Sequence, residues 1–277
     1  MVLAPIWKER RRAFSSAPST SPPLAIAHRG ASGEAPENTM AAFDLAARQG
    51  AQAIEFDVHL AADGVPVVIH DRRLDRTTSG SGLVSEYSAS MLKRLDAGSW
   101  FNLRHPARAR SHYVGQKIPW LSQVLPWARR RHLQAFVEIK LGGDVYPGIE
   151  ARVLEEISRA GMRDQTTVIS FDFPTLVRLR RLDPRIALGL DCTRPLLALR
   201  RARAIGAVVV LPYWAFASRR FIRRAHRAGI QVAVWNLDRP RSMRRKIADG
   251  ADAAVTRYPA LLRKVLAAPE NRPLPPA

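Results

Sequence analysis

Four hydrophobic runs carry groups that core packing does not explain: His28-Arg29 after LAIA, Glu55-x-Asp57 in QAIEFDVHL, His70-Asp71 after VPVVI, and Glu138-x-Lys140 in LQAFVEIK. Side chains alternate along a strand, so Glu55 and Asp57 share a face, and inward carboxylates two apart are costly to bury unless paired or metal-bound. Glu55, Asp57 and Glu138 together make a hard oxygen site suited to Mg²⁺ or Ca²⁺. Beside such a cation, His28 and His70 could serve as general acid and general base. Arg29, as a fork, and Lys140, as a point charge, could hold a phosphate. The set describes metal-assisted phosphoester hydrolysis: the cation neutralises phosphoryl charge, one imidazole takes a proton and the other gives one to the leaving oxygen.

Bringing these groups together takes a fold that gathers strand ends. Short β-rich runs at 24–28, 52–60, 65–70, 133–140, 166–170, 186–190, 207–211, 230–235 and 252–256 alternate with amphipathic stretches at 37–50, 145–161, 173–183, 218–229 and 239–250. Such alternation points to a parallel α/β sheet. Only AADG separates 52–60 from 65–70, too short for a parallel crossover, so these two form an antiparallel hairpin. Pairing Leu60 with Val65 brings His70 level with Glu55, within one register step. With the return arm set aside, eight strands remain. That number fits a (β/α)₈ TIM barrel with its chemistry at the carboxyl ends of the strands, and a doubly wound open sheet is the alternative. Between about 71 and 117 the rhythm stops in turn signals and one short helical stretch, which reads as a small subdomain inserted above the barrel mouth, a lid or substrate wall.

The 277 residues, 47% of them hydrophobic, suffice for one large domain, here 23–268, between a basic leader at 1–22 and a Pro-rich tail at 269–277. Lys and Arg number 44 against 24 Asp and Glu, a formal +20, which favours polyanions of any kind: nucleic acid, an anionic membrane or a phosphorylated metabolite. The arginine clusters at 129–132, 200–203, 219–224 and 239–246 fall in helical spacing and read as solvated outer faces, with no nucleic-acid-binding motif beside them. A single cysteine, Cys192, excludes an intrachain disulfide and a thiolate cluster and reads as a buried structural residue in a reducing compartment. The leader lacks a long apolar region, and the most apolar stretch, 204–217, is too short to span a bilayer. The expectation is a soluble, cytoplasmic protein with no specific nucleic-acid partner, for which weak association with an anionic membrane surface stays open.

Read in order, AHRGASGEAPENTMAAF, AIEFDVHLAADGVPVVIHD, LDRTTSGSGLV, LDAGSWF, IPWLSQVL, VEIK, SFD, VAVWNLDRP and GADAAVTRYP resemble the glycerophosphodiester phosphodiesterase family over residues 24 to about 266. The resemblance implies a TIM barrel with a small insertion that hydrolyses glycerophosphodiesters to sn-glycerol 3-phosphate and an alcohol. It implies His28 and His70 as the acid/base pair, Glu55, Asp57 and Glu138 as ligands of a divalent cation (Mg²⁺ or Ca²⁺, with Mn²⁺ a further option), and Arg29 and Lys140 as phosphate contacts. Trp235 matches an aromatic at the glycerol end of the pocket. In the family's proposed chemistry the glycerol 2-hydroxyl attacks phosphorus, and water opens the resulting cyclic phosphate. Two departures, Arg257 in TRYP and Asn236-Leu237 after Trp235, bear on pocket charge and substrate preference. A lysophospholipase D-like action on lipid-linked diesters is the alternative within the class, and a Schiff-base barrel aldolase built on Lys140 is a more distant one.

Other polar residues have blander readings. His59 shares the face of Glu55 and Asp57 but lies further along the hairpin, which favours a structural role, while His105, His112, His132 and His226 read as solvated. Glu37 in PENT reads equally as an acid orienting His28 or Arg29 and as an acid at a helix start. For Asp71 the balance falls against contact with substrate or site, and Asp63-Gly64 is turn chemistry.

Overall fold

The structure, a computed structural model, describes residues 22–193 and 195–268. The expected tail, and the leader apart from Pro22, lie outside the described residues. The strands are β1 (Leu24–His28), β2 (Ala53–Leu60), β3 (Pro66–Val68), β4 (Gln134–Ile139), β5 (Thr166–Ser170), β6 (Ala187–Cys192), β7 (Val209–Pro212), β8 (Gln231–Val234) and β9 (Ala253–Thr256). All but β3 pair in parallel with their neighbours, and β1 pairs with both β9 and β2, which closes the ring. Closure decides between the two architectures: the fold is a TIM barrel. β3 lies outside the ring, antiparallel to β2, with Leu60 opposite Pro66 and Val58 opposite Val68, one step from the expected register. It is shorter than expected because Val68 and Ile69 donate their N–H groups to Pro119 and Asp57 carbonyls, and the chain then leaves the sheet at His70.

Five expected helices are present: α1 (Met40–Arg48), α5 (Ile149–Arg159), α6 (Phe173–Leu182), α8 (Arg219–Arg227) and α9 (Pro240–Ala248). Three more, α4 (Leu121–Arg130), α7 (Pro195–Ala204) and α10 (Pro259–Ala267), lie outside the expected amphipathic stretches, and each contains a proline. In α7 and α10 that proline is the first helical residue, where its missing N–H costs nothing. Where one short helix was expected, the segment after β3 holds two, α2 (Ala89–Leu92) and α3 (Ser99–Arg104), with three 3₁₀ turns. Its own apolar cluster, including Leu74, Val84, Leu92 and Ile118, rests on Val67 and Ile69 of the hairpin. Asp63, expected only to shape the turn, also accepts the N–H of Ala89 and so ties the hairpin to this segment.

Two solvated readings fail because the partner comes from another element. His226 of α8 is half-buried, its Nε2 2.7 Å from Asp252 Oδ2, which also accepts the Val232 N–H. Lys246, inside an arginine cluster, is buried and donates to the Ala217 carbonyl at 2.6 Å. His105, His112 and His132 are exposed, and Cys192 is buried, as expected.

Inside the barrel, strand tilt brings residues of alternate strands into common layers. Following the pairing registers, His28, Glu138, Asp191 and Trp235 share the uppermost of these layers, above Glu55, Ile169, Leu211 and Val255. Ile26, Phe136 and Ala233 close the interior beneath. The polar groups therefore stand on a packed apolar plug rather than over a pore.

Gly30, where the chain leaves β1, has φ of +77°, and a Cβ there would come within 2.7–2.8 Å of Ala42 atoms. Gly30→Ala is therefore expected to destabilise the fold by about 2–3 kcal/mol. Urea unfolding checks this, and an unchanged midpoint would contradict it.

Candidate active site

The turn after β1 sets the site. Arg29 and Asn38 both have left-handed backbones, φ 55° and 57°, a conformation costing on the order of 1 kcal/mol for such residues. In return, the Arg29 N–H donates to Glu55 Oε2 at 2.9 Å and Asn38 Nδ2 donates to Asp57 Oδ2 at 2.8 Å. The Arg29 guanidinium also lies 3.2 Å from Asp57 Oδ2 and donates to Glu37 Oε1 at 3.0 Å. Arg29 thus braces three acids at once. Glu37 precedes the helix cap at Thr39, so its orienting role on Arg29 is the one realised.

Glu55, Asp57 and Glu138 are buried and bring carboxylate oxygens within 4.8 Å of one another. Burial opposes ionisation of Asp57, but the Arg29 and Lys140 charges outweigh it and hold its carboxyl far below the usual range. Burial, then the charges of Asp57 and Glu138, push Glu55 well above that range. Burial and Asp57 push Glu138 up to about 7. Lys140 donates to Glu138 Oε1 at 2.8 Å and sits 3.5 Å from Asp57; although burial disfavours its charge, these acids raise it to about 12. Glu55 Oε1 accepts no hydrogen bond among the described residues. Asp57 Oδ1 likewise accepts none among the described residues, and three crowded hard oxygen donors, two of them with an orphaned oxygen, fit a divalent cation.

The two histidines flank this cluster. His28 Nε2 is 3.8 Å from Glu55 Oε2, while its buried Nδ1 has no hydrogen-bond partner among the described residues. Burial, reinforced by Arg29, lowers its pKa well below the ordinary value. His70, also lowered by burial, has Nδ1 2.5 Å from Asp71 Oδ1. Contrary to expectation, then, Asp71 contacts the site, because the turn after β3 folds it back onto its neighbour's ring. Arg76, from the insertion, bonds Asp71 and Glu37 together, so a chain of alternating charge runs from His70 to Arg29. His59 is buried between the Tyr146 hydroxyl, at 3.0 Å, and the His70 carbonyl, at 2.9 Å, the structural role expected of it.

His28, Arg29, Glu55, His70, Glu138 and Lys140 line one half of a cavity of about 190 Å³. The other half is apolar, walled by Phe171, Leu211, Trp235 and Val255, with Asp191 as its carboxyl. Asp57 is fully buried beneath Arg29 and Lys140. Burial, then the charge of Glu138, raise Asp191 well above the ordinary carboxyl range, and its Oδ2 has no hydrogen-bond partner among the described residues. Asp191 escaped notice because the strand was ended at Leu190; one more step of alternation places it inward. Asn236 lines the cavity, whereas Arg257 pairs with Asp238 at 2.8 Å and does not line it.

The family model described as "Glycerophosphoryl diester phosphodiesterase family" matches residues 28–261. The chain belongs to this family. It is 31% identical over 256 residues to a glycerophosphodiester phosphodiesterase of Bacillus subtilis, covering 87% of this chain and 86% of that one. It is 33% identical over 240 residues to another from Caldanaerobacter subterraneus subsp. tengcongensis, covering 86% and 96%. An Oleispira antarctica phosphodiesterase, solved in complex with the product sn-glycerol-3-phosphate, is similar with a TM-score of 0.82 at 29% identity, over 89% of this chain and 98% of that one.

The crowded acids would make binding of a divalent cation a proton exchange. With Glu138 pushed up to about 7, a cation held by this cluster would have to displace its proton. Calorimetry is expected to show Mg²⁺ or Ca²⁺ affinity tightening from about pH 6 to about pH 8, with proton release on binding. Affinity flat across that range would contradict the charge arrangement.

Proposed function

We propose that this chain is a divalent-cation-dependent phosphodiesterase that hydrolyses glycerophosphodiesters to sn-glycerol 3-phosphate and an alcohol. The observation that carries this reading is the convergence of two imidazoles, two carboxylates and two cations on one half of a single cavity, with the third carboxylate, Asp57, buried directly beneath them. The product complex of the Oleispira antarctica relative supports the substrate class.

Glu55, Asp57 and Glu138 would hold the cation, Mg²⁺, Ca²⁺ or Mn²⁺. When bound, it supplies neutralisation of phosphoryl charge. Lys140 and the exposed edge of Arg29 orient the phosphate. His70 is the base: its Nδ1 is held by Asp71, which keeps the proton there and leaves Nε2 with the lone pair. It takes the proton of the attacking hydroxyl, whether water or the glycerol 2-hydroxyl, as the new P–O bond forms. The negative charge of the bound diester offsets the burial that lowers His28, which in its charged form gives a proton to the alcohol oxygen as the old P–O bond breaks; solvent then carries the proton taken by His70 back to His28 before the next turnover.

The glycerol carbons rest against Trp235, and a glycerol hydroxyl bonds Asp191, whose raised pKa lets it donate as well as accept. The small cavity leaves the alcohol at the mouth, which favours variety there over the lysolipid-specific alternative. Asp191→Leu is accordingly expected to raise KM for glycerophosphocholine about tenfold, with a smaller effect on kcat; an unchanged KM would remove Asp191 from the site.

Release of glycerol 3-phosphate from glycerophosphocholine and glycerophosphoethanolamine should stop in EDTA and return with added Mg²⁺, Ca²⁺ or Mn²⁺. His28→Ala and His70→Ala are each expected to lower kcat by about 10²–10⁴ with the fold intact by circular dichroism. Near-wild-type turnover in both variants, or full activity in EDTA, would overturn the proposal.

A further inference from the structure

The catalytic reading leaves two features unused: the arginine surplus and a set of exposed aromatic rings. They occur together. Tyr213, at the end of β7, lies 5.2 Å from the Trp235 ring of the cavity wall and also touches Trp214, at 5.8 Å, and Phe216, at 6.2 Å. An unbroken run of rings therefore leads from the cavity outward to the rim, where Trp214 is 39% and Phe216 47% exposed. Phe171, 43% exposed, continues the rim on the other side of Trp235, at 5.7 Å. Rings this exposed at a barrel mouth lose apolar burial that the adjacent core could have supplied.

The next residues in the chain are cationic. Arg219 and Arg220 open α8 directly after the aromatic loop, and Arg239 and Arg241 stand at the start of α9; all four are exposed. Helices of this fold start at the mouth end of the barrel, so these arginines border the rim. None of α7, α8 or α9 contains an Asp or Glu, whereas α5 alone contains three acids and pairs its arginines with them. One side of the mouth is thus basic, unpaired with acids of its own helices, and crowned by Trp and Phe. Trp at a polar boundary and Arg beside it are the groups that settle at the headgroup level of a bilayer. Anionic lipid adds attraction to each arginine near the surface. Nucleic acid would use the arginines equally well, but the exposed rings border a closed cavity mouth rather than line a groove along which a strand would run.

We propose that the rim built on Trp214 and Phe216, flanked by Arg219, Arg220, Arg239 and Arg241, docks this protein on anionic bilayers with the mouth of its cavity facing the lipid. The docking goes beyond the phosphodiesterase reading and stands or falls independently of it. The test is flotation of the full chain with vesicles of phosphatidylglycerol and phosphatidylcholine (1:1), against vesicles of phosphatidylcholine alone, at about 0.1 M salt. Binding to the mixed vesicles and little to the neutral ones is expected. Trp214→Ser with Phe216→Ser should lower the partition coefficient by about tenfold or more. Each Arg→Gln change among the four should lower it by about fivefold and flatten its salt dependence. None of these variants should change turnover of soluble glycerophosphocholine by more than about twofold, since none of the six side chains lines the cavity.

Failure of the wild-type chain to float with the anionic vesicles would overturn the docking, as would an aromatic double variant that floats like wild type. Binding of a single-stranded oligonucleotide that needs the same arginines but neither ring would assign the surface to nucleic acid instead. A docked but inactive protein would sink the catalytic reading and leave the docking intact.

Discussion

Three carboxylates buried within 4.8 Å of one another are the constraint to which the mouth of this barrel answers. Unpaired, they would repel and demand several kcal/mol each in desolvation. The chain answers with Arg29, which spends its backbone N–H on Glu55 and its guanidinium on Asp57 and Glu37. That reach requires the left-handed turn at Arg29 and Gly30, and the glycine is needed because Ala42 occupies the space of a side chain. Lys140 closes the opposite flank. Compensation is uneven: the cations hold Asp57 below the usual carboxyl range, while burial and the neighbouring acids push Glu55 and Glu138 above it.

The same electrostatics extend sideways into the insertion. Arg76 joins Asp71 to Glu37, so the segment above the mouth helps fix the His70 ring and the Arg29 brace together. His59 and Tyr146 secure the His70 carbonyl from below. Two histidines far apart in the chain are thereby held on a rigid frame, and preorganisation of this kind is what acid/base chemistry requires. Across the cavity the chemistry changes character. Ile169, Leu211 and Val255 offer no charge, and the ring run from Trp235 to Phe216 carries the apolar surface out to solvent. A polar half for a phosphate and an apolar half for carbon, continuous with a basic and aromatic rim, give the mouth a direction.

Much of this was legible in the sequence, for a physical reason. Strands of two-residue period, a four-residue connection too short for a crossover and polar residues at strand ends are local signals. They determined eight parallel strands with one hairpin, a count that fits a barrel, and they picked out His28, His70, Glu55, Asp57, Glu138, Arg29, Lys140 and Trp235, which the structure gathers at one mouth. Proline did not separate the helices that were read from those that were not: Pro174 and Pro240 open expected helices as Pro195 and Pro259 open unexpected ones, because a proline at a helix start loses no hydrogen bond.

Only the tertiary structure decided who meets whom. Closure of the ring, by β1 pairing on both sides, is a long-range event that no local pattern encodes. Asp191 joins the layer of His28 and Glu138 because strand tilt lifts alternate strands into register, and Asp71, Arg76 and Asn38 become parts of the site through contacts between segments far apart or folded back on themselves. His226 and Lys246 look like solvated members of basic runs until Asp252 and Ala217 arrive from other elements. Sequence carries the period of each element and the chemistry at its ends; the partners of a charge are fixed by packing, and so is its state of ionisation.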